Sequence, residues 1–201
     1  MWEKQTSEAQ TKYEAGASGG NYFKFKEGKN KIRILVEGEI MATHFVGTKG
    51  YTCYGVKEGC PFHGNGAPRD DKGAIKKPSA KLVTYVLDRN TEEQKPQQAE
   101  IAYSVVKQIN TFAEEKDFAF GKFPMPYDIN VTFTKAAAPN DKYKVVPSAT
   151  RDEVPTEVLD QLSKVPPVSQ TIERKKERAM RETGAIVDLE DSSEIGEDGQ
   201  G

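Results

Sequence analysis

Clear period-two alternation begins at Lys31-Ile32-Arg33-Ile34-Leu35-Val36. It predicts a strand with Ile32, Ile34 and Val36 inward and with Lys31 and Arg33 facing solvent. Tyr22–Lys26 leads into it through a turn at Glu27–Asn30. Further strands are expected at Ala80–Asp88, Gln98–Tyr103, Tyr127–Thr134 and Tyr143–Val146, the last two joined by a turn at Pro139-Asn140-Asp141. Ser104–Glu115 has helical spacing, with Val105, Ile109 and Phe112 on one face. Two short helices follow, Pro155–Ser163 and roughly Gln170–Thr183, separated by Pro166-Pro167. The second is so charged that it reads as a solvated face, or as a helix that forms only against a partner. The expectation is a mainly β chain built on an OB-type, five-stranded Greek-key barrel, with a β-sandwich as the rival.

Residues 44–80 break the pattern. They lack periodicity and hold seven Gly and three Pro, and so long an irregular stretch calls for a function or a staple. With 36% hydrophobic residues and a mean hydropathy of −0.70, the chain suits a core of about 130 residues with polar ends. The expected organisation is a flexible lead-in over 1–20, a core over 21–150 carrying the 44–80 loop, a helical extension over 151–184 and a disordered tail over 185–201. No stretch approaches the roughly 20 apolar residues of a membrane span, and the N-terminus does not read as a secretory signal, so a cytoplasmic protein is expected.

The long loop contains all of the chain's cysteine and histidine: His44, Cys53, Cys60 and His63. These are the residue types of a tetrahedral zinc site, and Cys60-Pro61-Phe62-His63 is a C-x-x-H knuckle that can offer two ligands from one turn. A Cys53–Cys60 disulfide is the competing reading, disfavoured in a reducing cytosol. Four protein ligands would close the site, which points to structural rather than catalytic zinc.

The net charge of −2 conceals an asymmetry. Residues 20–90 carry 13 Lys/Arg against 7 Asp/Glu, whereas the last 17 residues hold six acids and no base: Asp188, Glu190, Asp191, Glu194, Glu197 and Asp198. This predicts a basic working surface and an acidic tail for protein partners. Basic and aromatic residues interleave, as single-strand binding requires charge for phosphates and rings for bases. The candidates are Lys29, Lys31, Arg33, Tyr51, Tyr54, Phe62, Lys81, Tyr85, Arg89, Phe133, Lys135, Lys142, Tyr143 and Lys144, with Tyr51, Tyr54 and Tyr85 expected to be exposed.

Five motifs occur in order: Lys26–Leu35, the Cys60-Pro61-x-His63 knuckle, Tyr85–Arg89, Tyr127-Asp128-Ile129 and Asp141–Ser148. Together they resemble the single-stranded DNA-binding (helix-destabilising) proteins of tailed bacteriophages over about residues 20–150. The resemblance implies an OB core, a zinc-holding subdomain, and a role in coating single-stranded DNA during phage replication, recombination and repair inside the infected host. It also implies an acidic C-terminus that contacts replication proteins. Relatives often use three Cys and one His, and some carry a basic N-terminal arm, from both of which this chain departs. An enzyme is not expected: there is no P-loop or Gly-x-Ser-x-Gly motif, the metal claims both His, and the C-x-x-H lacks a deaminase's second Cys. The alternative is a zinc-stabilised protein-interaction adaptor acting through the tail.

Overall fold

In a computed structural model, which describes residues 22–138 and 141–185, the alternating stretch around Ile32 lies in the middle of a mixed sheet. The described strands are β1 (Tyr22–Phe23), β2 (Gly28–Ile34), β3 (Glu39–Val46), β4 (Lys49–Thr52), β5 (Ser79–Asp88), β6 (Pro96–Ala102), β7 (Ile129–Phe133) and β8 (Tyr143–Pro147). The helices are α1 (Tyr103–Ala113), α2 (Thr156–Leu162) and α3 (Val168–Glu182). The chain divides into two compact units. One holds the described residues up to Ile40 together with Lys81–Val168; the other holds Met41–Ala80 and the described residues from Ser169.

In the first unit the strands run β1-β6-β5-β2-β7-β8, antiparallel except for the short parallel pair β1–β6. The turn before β2 is held by Asn30, whose side chain accepts from the Lys26 amide and donates to the carbonyls of Lys26, Gly28 and Val131. Gly28, at φ +92°, supplies the left-handed residue this turn needs. Ile32, Ile34, Val86, Ile101, Val131 and Val145 form the core with Val105 and Ile109 of α1. The helix therefore buries the face its spacing predicts. The chain is mainly β, as expected, but the sheet is open: among the described residues no backbone pairing joins β6 to β8. Helix α1 packs against both strands. Its Gln108 amide donates to the Tyr143 carbonyl and accepts from the Val145 amide, each at 3.0 Å, so a side chain stands where a strand partner would.

The expected solvent face is buried at Arg33 of β2 and along β5. Arg33 is only 3% exposed, and Val83, Tyr85 and Leu87 are buried as well. Residues 148–166 cover this side. Arg33 donates to the Asp152 carbonyl, Arg89 to the Glu153 carbonyl and Tyr85 Oη to the Pro166 carbonyl, while α2 packs against β6. Of the turn expected at Pro139-Asn140-Asp141, the first two residues lie outside the described residues.

In the second unit β3 and β4 form a hairpin within the stretch that had looked aperiodic, with Thr43 opposite Thr52 and Val46 opposite Lys49. Its two-residue loop opens with Gly47 at φ +59°, the positive φ that a primed hairpin turn demands. Helix α3 is not a solvated rod. Thr171, Ile172 and Ala179 are buried, and Ala179 and Met180 pack against Tyr54 and Cys60. Tyr54 Oη lies 2.7 Å from Thr183 Oγ1, and Lys49 pairs with Glu182 at 3.1 Å.

Candidate functional site

The β3–β4 hairpin places His44 opposite Tyr51, and Cys53 follows two residues after Tyr51, tied back by its amide to the Ala42 carbonyl at 2.8 Å. A tight turn then returns the chain, with the Cys60 amide on the Gly55 carbonyl. Beyond His63 a single 3-10 turn, Gly64–Gly66, closes on the His63 carbonyl. Gly66 runs so close to the Pro61 carbonyl that any Cβ would overlap it. The turn thus holds Cys60 and His63 together as the C-x-x-H spacing suggested.

One donor atom from each of His44, Cys53, Cys60 and His63 lies within 4.8 Å of all the others. Donors around a zinc-sized tetrahedral ion stand about 3.3–3.8 Å apart; Cys53 Sγ and His63 Nε2 are at 3.2 Å. Both cysteines are free in this structure. The cluster fits a metal on a second ground: His44 is 2% exposed, yet neither of its ring nitrogens has a hydrogen-bond partner. Orphaned buried nitrogens cost free energy unless something binds them. Burial, assisted by the nearby His63, lowers the His44 pKa and keeps the imidazole neutral, as a ligand must be. Burial, with a smaller contribution from Cys60, raises the Cys53 thiol, so metal binding there would release a proton. The four residues can hold a metal ion, and the Phe62 ring covers them from 5.6 Å off His44.

The nucleic-acid candidates divide into three groups. Arg33, Tyr54 and Tyr85 are buried, so the expectation of exposure was wrong for both tyrosines, and Arg33 does not face solvent. Arg33 Nε sits 2.6 Å from Asp128 Oδ1, Arg89 Nε 3.3 Å from the same oxygen, and Lys31 Nζ 3.4 Å from Oδ2. Asp128 itself is fully buried. Lys31 also reaches Asp152 at 3.3 Å, and Lys81 pairs with Glu100 at 2.8 Å. A second group remains open. Lys29 and Lys144 flank Thr132 in register across β2, β7 and β8, and both are exposed. Lys135 is exposed and Lys142 half-buried on the β7–β8 connection; among the described residues none of these four ammonium groups has an ion pair, although the Lys135 amide donates to the Glu27 carboxylate at 2.8 Å. The third group is half-buried rings: Tyr51 lies 4.9 Å from Phe62 with Lys49 Nζ above it, and Phe133 stacks on Tyr143 at 5.1 Å. The acidic tail residues Asp188, Glu190, Asp191, Glu194, Glu197 and Asp198 lie outside the described residues.

Sequence reasoning missed Asp128, the centre of the buried charge cluster, and Gln108, the guard of the β8 edge. Asp128 enters the reading only within the Tyr127-Asp128-Ile129 motif, and nothing local shows that its carboxylate is buried among cations. The described helices are all too short or too polar to cross a membrane. No protein-family model, curated protein or solved structure matches this chain.

Proposed function

We propose that the chain is a single-stranded DNA-binding protein with an OB core and one structural zinc ion. The carrying observation is a set of lysines without side-chain ion pairs among the described residues at one end of the first unit, Lys29 and Lys144 on the outer face of β2-β7-β8 with Lys135 and Lys142 on the β7–β8 connection, together with the stacked rings of Phe133 and Tyr143 on the other face of that hairpin. Cations for phosphates and flat rings for bases are the chemistry of single-strand binding. The strand order supports the OB reading. The run β6-β5-β2-β7-β8, with α1 between β6 and β7 in sequence, is a five-stranded Greek-key order opened at one seam, and OB barrels are commonly only partly closed. In such barrels, ligands meet strands 2–3 and the loops 1–2 and 4–5. Here residues 148–166 cover much of β5 and β6, which leaves loop 4–5, with Lys135 and Lys142, as the exposed part of that surface in the first unit. Loop 1–2 is the insertion that carries the metal cluster.

His44, Cys53, Cys60 and His63 would hold zinc, which supplies a crosslink and no reaction. The reading includes no catalytic activity. The role in phage DNA replication, recombination and repair, and the recruitment of replication proteins by residues 185–201, are what the resemblance implies.

Fluorescence anisotropy with labelled single- and double-stranded oligonucleotides over a salt series tests the binding. Single strands should be preferred, with log K falling by about 0.7 per phosphate contacted for each unit of log salt. Lys29→Ala and Lys144→Ala should each flatten the slope by about that amount. No binding of single strands at low salt would refute the reading. Metal analysis of chelator-free, reduced protein should find about one zinc per chain.

A further inference from the structure

Between β1 and the β7–β8 hairpin lies a cleft of about 250 Å³, lined in part by the single-strand candidates Lys81, Phe133 and Tyr143. Its floor is aromatic. Phe133 stacks on Tyr143 at 5.1 Å with 23° between the rings, and Phe25 meets Tyr143 edge-on at 5.6 Å. Tyr22 forms a wall and is 41% exposed, with Lys24 Nζ 5.9 Å above its ring. Lys81 stands across from it, bonded to Glu100. The volume is below the roughly 300–1,000 Å³ of pockets for drug-sized ligands, so it suits one flat ring system rather than a larger molecule.

The polar groups decide which part of a strand would enter. Glu100 places a carboxylate in the cleft, which disfavours a phosphate there. Burial, followed by the charge of Glu100 and a hydrogen bond to it, raises the Tyr22 pKa, so its hydroxyl stays neutral and donates to that carboxylate. Lys24 is exposed, which suits it to a phosphate beside a base seated on the rings, while Lys81 stays paired with Glu100.

We propose that this cleft is a subsite for one unstacked nucleobase of the bound strand, an assignment that rests on the single-stranded DNA reading above. It adds Tyr22, Lys24, Phe25 and Glu100 to the residues that would contact DNA.

The test is photo-crosslinking of the full chain to an oligothymidylate carrying 5-iodouracil, with the adducts mapped by mass spectrometry. Adducts are expected on Tyr22, Phe25, Phe133 or Tyr143. Tyr22→Ala, with its melting curve recorded to confirm the fold, is expected to lower oligonucleotide affinity by roughly 5- to 150-fold with the salt slope unchanged. If the wild-type chain binds but its adducts fall elsewhere, or if Tyr22→Ala binds as tightly as wild type, the subsite is overturned and the DNA reading stands. If the wild-type chain neither binds nor crosslinks, both fall together.

Discussion

At the scale of single residues, an exposed-looking cation and a working cation prove to be different things. Arg33 and Lys29 lie on the same face of β2, four residues apart, yet Arg33 is locked to Asp128 and two main-chain carbonyls while Lys29 has no carboxylate partner among the described residues. A carboxylate as buried as Asp128 is tolerated only because cations surround it. Removing it strands Arg33 without compensation, which typically costs about 3–5 kcal/mol. Asp128→Ala should therefore lower unfolding free energy in a urea titration by that order, and Lys29→Ala by less than about 0.5 kcal/mol. Their effects on DNA should be reversed. A correctly folded Arg33→Met variant should keep the wild-type salt slope, whereas Lys29→Ala should not. A flattened slope from Arg33→Met would return that residue to the phosphate contacts.

At the scale of elements, β2 and α1 were legible because each carries a period that only one secondary structure satisfies, and β5, β6, β7 and β8 because β-branched and aromatic residues cluster there between turn signals. Which faces are covered was less legible. Leu82-Val83-Thr84-Tyr85-Val86-Leu87 is an almost continuous apolar run, the mark of a strand buried on both sides, and its solvent face was misread by treating Tyr85 as exposed. The cover comes from residues 148–166, distant in sequence, and no local pattern announces it. The metal donors were legible because Cys and His are so few, whereas the β3–β4 hairpin around them was hidden by a Gly-Thr turn weaker than the usual Asn-Gly signal. Edge protection was also illegible: Gln108 matters only because β8 has no second strand partner among the described residues. Gln108→Leu leaves the Tyr143 carbonyl and Val145 amide unpaired on a partly buried edge. It should cost about 1–3 kcal/mol in chemical denaturation. Hydrogen exchange should show faster exchange at Val145, with β2 unchanged at conditions where only local opening is measured.

At the scale of the whole molecule, the metal cluster and the C-terminal helix form one cooperative piece. Helix α3 has too few apolar residues to be stable alone, and 15 residues is near the limit at which even good helix formers hold together in water. Intrahelical ion pairs such as Glu173–Lys176 and Arg178–Glu182 add only a few tenths of a kcal/mol each. Its stability comes from seating Ala179 and Met180 on Tyr54 and Cys60, and from the Tyr54–Thr183 contact. Cys60 is both a floor for the helix and a proposed ligand, so losing the metal should undermine the helix as well as the loop. Chelation under reducing conditions is expected to remove helical signal at 222 nm equivalent to about one helix, and to open residues 41–80 to protease. The strands around Ile32 should keep their slow amide exchange, since their core is their own. Cys60→Ser should reproduce the loss without chelator, and zinc should restore the wild-type chain but not this variant. An unchanged helical signal after complete metal removal would show that Tyr54 and α3 hold the unit without the ion.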